Sequence, residues 1–194
     1  SAGSCVEGMR ILIDGEIFSW QRAGGISRMY CRLIPLLLRM DPTLEIVLAV
    51  KRGGIGQLDE ALLPYVAWIP QIPASIRPWR FWRKIAPSIN RALASFFWKR
   101  NRADLFVSTY YTTPPVDCPR ICVVYDMTFE LFPESFENKF GDQTRAQNKR
   151  AVRNADCVIC ISENTKRDVL RLLGVAESKC RVVPLAGFDV PAGP

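Results

Sequence analysis

Apolar runs of strand length recur at residues 9–14, 44–50, 65–69, 104–108, 121–125, 157–161 and 181–183. Several are continuous rather than alternating, as in strands buried on both faces, and this marks a parallel sheet. Helical periodicity separates them. Ile26, Met29, Tyr30, Leu33, Ile34, Leu37 and Leu38 keep the i, i+3, i+4, i+7 spacing of one buried face, with Arg28, Arg32 and Arg39 off the stripe. Pro35 removes one backbone bond from that helix and should bend it. Later, Ser162 can cap a helix whose apolar positions Val169, Leu172 and Leu173 end before Gly174, a left-handed stop. Strands alternating with helices predict an α/β, Rossmann-like three-layer domain with a mostly parallel sheet.

Composition sets bounds on this picture. The 194 residues, 48% of them hydrophobic, suffice for one packed domain. No stretch reaches the roughly 18 uninterrupted apolar residues of a spanning helix, so a soluble cytoplasmic protein is expected. Residues 1–8 read as a tag or short extension and 9–189 as the domain. The proline- and glycine-rich end, 184–194, reads as an interdomain linker cut short, with 190–194 its start. The seven cysteines sit mostly in apolar runs and read as buried thiols in a reducing compartment. Cys157 and Cys160 form a C-x-x-C, but on a strand they point to opposite faces, unlike a redox pair opening a helix. The chain contains no histidine, which removes Ser-His and Cys-His nucleophilic machinery and most metal sites, so no metal is expected.

In an open parallel sheet, ligands bind beyond the carboxyl ends of the strands. There the sequence collects hydrogen-bonding groups: Asp14, Gly15 and then Gly24-Gly25; Ser108, Thr109, Tyr110 and Tyr111; Asp126 and Glu130; Ser162, Glu163 and Thr165; Gly187 and Asp189. Two glycines before a helix leave backbone N–H groups open beside the positive end of the dipole, where a phosphate or carboxylate can sit; equally, they can simply form a turn. The G-x-G-x-x-G spacing is missing, and Lys51-Arg52 ends the second strand where an acid for a ribose hydroxyl would be required, which argues against a nicotinamide dehydrogenase. Asp126 has an alternative role as an acid capping a turn, Ser162 as a helix cap, and Tyr110 and Tyr111 as packing groups.

The runs MRILIDG, AGGISRMY, DLFVSTYYTTPP, PRICVVYDMTFELFPE, ADCVICISENTKRDVLRLLGV and KCRVVPLAGFD resemble, in order and spacing, the amino-terminal domain of family 4 glycosyltransferases, which have the two-lobed GT-B fold. Only residues 52–102 lack a family signature. The resemblance implies a retaining transfer from a nucleotide sugar, with this lobe shaping the pocket for a glycan or lipid-linked acceptor and a carboxy-terminal lobe holding the donor. It implies that Gly24 and Gly25 approach the donor phosphates, that Asp126 lines the sugar site as the candidate catalytic residue, and that Tyr110, Tyr111, Glu130 and Ser162 are candidate substrate contacts. No cofactor is implied beyond the nucleotide sugar itself. Where the family motif reads His-Asp, this chain has Tyr125-Asp126, as in a subset carrying Tyr-Asp-Met. The family's donor-side glutamates, separated by seven residues, are not found; Glu130 and Glu137 have six between them. The expectation is therefore an acceptor-side half, inactive without its donor lobe.

The chain carries 26 basic against 19 acidic residues, a net charge of +7 that favours anionic partners. The asymmetry is concentrated at 77–102, which holds eight Lys or Arg, no acid, and six Trp or Phe. From Ile85 the spacing of Ile89, Leu93, Phe96 and Phe97 suits an amphipathic helix with Pro87 near its first turn. Arg77, Trp79, Arg80, Trp82, Arg83 and Lys84 are expected to face an anionic bilayer, placing the protein peripherally at the inner face of the cytoplasmic membrane. The other reading is a surface helix whose stripe packs on the sheet. Nucleic acid is not expected as the partner, because the cluster is confined to one segment. The rival function is a stand-alone module binding a glycan, sugar phosphate or lipid.

Overall fold

The computed structural model describes residues 8–20, 24–51, 58–73 and 78–185. They divide into two compact units, Ser1–Arg120 and Ile121–Pro194. The first contains β1 (Arg10–Asp14), α1 (Glu16–Trp20), α2 (Gly25–Met40), β2 (Glu45–Lys51), β3 (Val66–Ile69), α3 (Trp79–Arg100) and β4 (Leu105–Ser108). The second contains β5 (Arg120–Val124), α4 (Thr128–Leu131), α5 (Lys139–Asn154), β6 (Cys157–Cys160), α6 (Glu163–Leu173) and β7 (Cys180–Val182). All seven strands lie within a residue or so of the runs predicted, and the α/β, Rossmann-like class is the one observed.

In the first unit the strands run in the order β3-β2-β1-β4 and pair in parallel, with Ile11 opposite both Ile46 and Leu105. Leu12, Ile13, Leu48, Ala49, Val50 and Phe106 are buried, as continuous apolar strands require. Tyr30 and Ile34 are the buried centre of α2, while Arg28, Arg32 and Arg39 face outward. Pro35 lies inside α2 as expected. Leu12, Ala49, Ile69, Phe97, Phe106 and Val116 form one apolar cluster, against which Ala94 and Trp98 pack, so the carboxy-terminal half of α3 lies on this sheet.

The expected limits of α3 need correcting. It starts at Trp79, so Pro87 is an interior residue, not a first-turn one. Pro87 is exposed, and the helix continues through it because only one backbone bond is lost on the solvent side. Phe96 does not belong to the buried stripe: it is 63% exposed, and Ala86 and Phe97 are the buried positions.

The second unit pairs β5-β6-β7 in parallel, with Val124 opposite Cys160 and Cys160 opposite Val182. Ser162 caps α6, its Oγ accepting the Thr165 N–H at 3.1 Å. The helix ends at Gly174 with φ 63°, the left-handed stop. Helix α5 has no counterpart in the apolar pattern. Its inward positions are Gly141, Thr144, Asn148, Ala151 and Val152, a stripe of small and polar residues. Six cysteines among the described residues are free thiols. Cys160 is buried and Cys157 half-buried, as opposite faces of a strand require. No helix among the described residues is long and apolar enough to cross a membrane.

Candidate functional site

In the first unit, the carboxyl ends of β1 and β4 are tied together by a buried carboxylate. Asp14 is 2% exposed. Its Oδ1 accepts the Glu16 N–H at 3.2 Å and the Thr109 hydroxyl, and its Oδ2 accepts the Thr109 N–H at 3.1 Å and the Thr112 hydroxyl. Thr109 Oγ1 also receives the Ile17 N–H at 3.4 Å, and the Thr112 N–H donates to Ser108 Oγ at 2.8 Å. The loop leaving β4 is therefore held from both of its ends. Desolvation raises the Asp14 pKa above its ordinary 3.8, against the opposing pull of the Thr109, Thr112 and Glu16 donors. Gly15 allows this closeness, because a Cβ there would fall 2.6 Å from Val50 Cγ2 and 2.8 Å from the Ala49 oxygen. Beyond Gly15, Glu16 accepts a 2.6 Å hydrogen bond from Lys51 at the end of β2, so the base found where a ribose-binding acid would sit is engaged in an ion pair.

The clamped loop carries Tyr110 and Tyr111. Tyr111 is buried and has φ 54°, the one non-glycine residue with positive φ among those described. A bulky residue in the left-handed region costs about 1 kcal/mol or more, and such strain persists only where surrounding contacts fix it. Here Thr109 and Thr112, on either side of the two tyrosines, are held by their bonds to Asp14. Tyr110 is half-buried and meets Tyr111 edge to face at 5.5 Å.

Gly24 and Gly25 also belong to this unit. Gly24 precedes α2 in an extended conformation; its N–H donates to Ser27 Oγ at 3.1 Å, and the Ser27 hydroxyl donates back to the Gly24 oxygen at 3.0 Å. Gly25 opens the helix. A Cβ there would meet nothing within 4 Å, so neither space nor backbone conformation demands glycine at this position.

In the second unit, Asp126 and Ser162 follow the adjacent strands β5 and β6. Asp126 is exposed, and its Oδ1 accepts the Thr128 N–H at 3.0 Å, which starts α4. Ser162 Oγ is 3.0 Å from Thr165 Oγ1 as well as capping α6. Glu130 lies further along, in a groove it lines with Arg145, Ala146, Lys149, Leu172 and Leu173. Its Oε1 accepts the Asn148 amide at 2.9 Å, and burial raises its pKa against that bond. Glu130 Oε2 and Asn148 Oδ1 are buried with no hydrogen-bond partner.

Of the basic aromatic set, Arg80, Arg83 and Lys84 are exposed and Trp82 is half-buried. Arg77 lies outside the described residues, as do Gly187, Asp189 and the rest of the tail from 186. The side chain of Trp79 also lies outside those described, and Phe81 is 57% exposed and edge to face with Trp82 at 5.7 Å.

A family model described as Glycosyltransferase Family 4 matches residues 23–186. The chain belongs to glycosyltransferase family 4. The matched span contains Gly24, Gly25, Tyr110, Tyr111, Asp126, Glu130 and Ser162, together with Thr109 and Thr112. Asp14, the hub that orders the Thr109–Thr112 loop, precedes the match. No protein of curated function matches significantly. Sequence reading placed Asp14 at the ligand edge of this family 4 domain but did not identify it as the clamp. The available signal was an acid ending one strand and a Thr-x-x-Thr following its neighbour, a pairing that becomes visible only once β1 and β4 are known to be adjacent.

Proposed function

We propose that this family 4 domain is the acceptor-side half of a retaining glycosyltransferase that takes its sugar from a nucleotide donor and works with a donor-binding lobe. The observation that carries the reading is the family match over 23–186, which includes Gly24, Gly25, Tyr110, Tyr111, Asp126, Glu130 and Ser162. The arrangement of polar groups supports it. In each unit taken by itself, hydrogen-bonding side chains follow the carboxyl ends of strands, β1 and β4 in the first and β5 and β6 in the second, where open α/β sheets bind ligands.

The proposed roles follow from chemistry. Gly25 is free of steric demand from its own domain, so its lack of a side chain serves close approach by a ligand, and the start of the 16-residue helix α2 suits the donor's phosphates. Tyr110 offers a ring and a hydroxyl to a sugar from a loop whose conformation Asp14 fixes. Asp126, exposed at the mouth of its strand, is the carboxylate proposed to hydrogen-bond the transferring or accepting sugar, and the Tyr125-Asp126-Met127 run supports assignment to the subset that carries Tyr-Asp-Met. Ser162 contributes the start of α6. The acceptor is a glycan or a lipid-linked saccharide.

The test is sugar transfer from a panel of nucleotide sugars by this chain joined to a family 4 donor lobe, with Gly25→Ala and Asp126→Asn as variants. Transfer that falls about tenfold or more in each variant, with unfolding temperature unchanged, supports the roles given. Transfer at wild-type rates in both would remove Gly25 and Asp126 from the site.

A further inference from the structure

Helix α3 carries an exposed ridge along its outward face. Phe81, Lys84, Ser88, Ala92, Phe96 and Lys99 follow one another at spacings of three and four residues, and all six are exposed. They form a straight line along one face, about 27 Å long from Phe81 to Lys99 at 1.5 Å per residue. The opposite face carries Ala86 and Phe97, both buried, and Phe97 is fixed in the core of the first unit. The ridge is thus held outward by packing behind it.

Two features of this face point to one kind of partner. Phe81 and Phe96 are 57% and 63% exposed, near the two ends of the ridge, so burying them takes a surface that runs the length of the helix. Arg80, Lys84, Arg91, Lys99 and Arg100 are exposed on the same helix, and the helix contains no acid. Small residues, Ser88 and Ala92, separate the two phenylalanines, so the helix can lie flat. Aromatic rings at both ends, positive charge spread between and beside them, and no acidic counter-charge match a plane of anionic head groups over hydrocarbon. A nucleic acid would take up the cations and leave both rings in water.

We infer that the outward face of α3 docks this protein on anionic lipid bilayers, with Phe81 and Phe96 inserted at the interface and Lys84, Arg91 and Lys99 against the lipid phosphates. The face differs from the six residues expected from the sequence. Trp82 turns partly inward, and Phe81 and Phe96 take its place as the inserting rings.

The docking face does not depend on the transfer chemistry, and its test needs no donor sugar. The intact chain is sedimented with vesicles of phosphatidylcholine alone and of phosphatidylcholine mixed with phosphatidylglycerol, at low and raised salt. Binding to the mixed vesicles that weakens with salt is expected. Three basic residues at about fivefold each give a loss of about 100-fold for Lys84→Gln/Arg91→Gln/Lys99→Gln. A loss of about tenfold or more is expected for Phe81→Ser/Phe96→Ser, again with an unchanged far-ultraviolet circular dichroism spectrum. Equal binding to both vesicle types, unchanged binding in either variant, or binding to a DNA duplex without binding to vesicles would overturn the inference.

Discussion

Replacing Asp14 with alanine removes the acceptor of four hydrogen bonds, from the Glu16 N–H, the Thr109 N–H and the hydroxyls of Thr109 and Thr112. Bonds to a charged group contribute about 1.5 kcal/mol or more each, roughly 6 kcal/mol in all. Alanine escapes the desolvation of a buried carboxylate, which returns several kcal/mol, and the net loss is about 3 kcal/mol. For a chain of this size that is about 6 to 12 °C in unfolding temperature. Asparagine should behave differently. With its oxygen at the Oδ2 position it keeps the Thr109 N–H and Thr112 bonds, its amide can donate to Thr109 Oγ1, and it buries no charge, so its cost is about 1 kcal/mol. Thermal and urea unfolding of both variants distinguish them. The clamp is refuted if alanine costs less than about 1 kcal/mol, or if asparagine is as damaging as alanine.

The same residue fixes a pH dependence. The folded-state pKa of Asp14 is raised above 3.8, so the folded chain holds this proton more tightly than the unfolded chain. Its contribution is fully present below the unfolded pKa and is lost as pH rises through the folded pKa, so Asp14→Asn should gain on wild type as pH rises above 3.8, read from unfolding midpoints. Ser162→Ala orphans the Thr165 N–H and should cost about 1 kcal/mol, with Ser162→Asp close to wild type. Gly25→Ala should leave the unfolding temperature unchanged or slightly raised, because the added methyl meets nothing. Cys160, whose thiol is pushed up to about 12 chiefly by burial, should resist a thiol reagent at mildly alkaline pH until the chain is unfolded in urea.

What could be read from the sequence follows the hydrophobic pattern. Strands such as 44–50 and 121–125 are apolar throughout, and α2 and α6 keep a clean apolar stripe, so one-dimensional periodicity suffices. Helix α5 was invisible for the converse reason. Its inward face is Gly141, Thr144, Asn148, Ala151 and Val152, in which small and polar residues outnumber the one large apolar side chain. In α3 the basic start hid the first turns, and Phe96 was counted on the apolar stripe together with Phe97, of which only Phe97 is buried. The site divides the same way. Glycines before a helix and an acid after a strand are local signals, and Gly24, Gly25, Asp126 and Ser162 stand at the helix starts and strand ends where the sequence put them. The Asp14 clamp joins residues 95 and 98 positions apart, and nothing local marks it. Glu130 was placed by chain position, but its partner Asn148 comes from the helix the pattern missed.

We propose that this domain shapes the acceptor side of a nucleotide-sugar-dependent transfer. The most direct measurement compares transfer from a panel of nucleotide sugars by the chain alone and by the same chain joined to a family 4 donor lobe. Transfer by the joined protein only, sensitive to Asp126→Asn, is the predicted result. Transfer by neither, alongside saccharide binding by the chain alone, would contradict the account and point to a binding module.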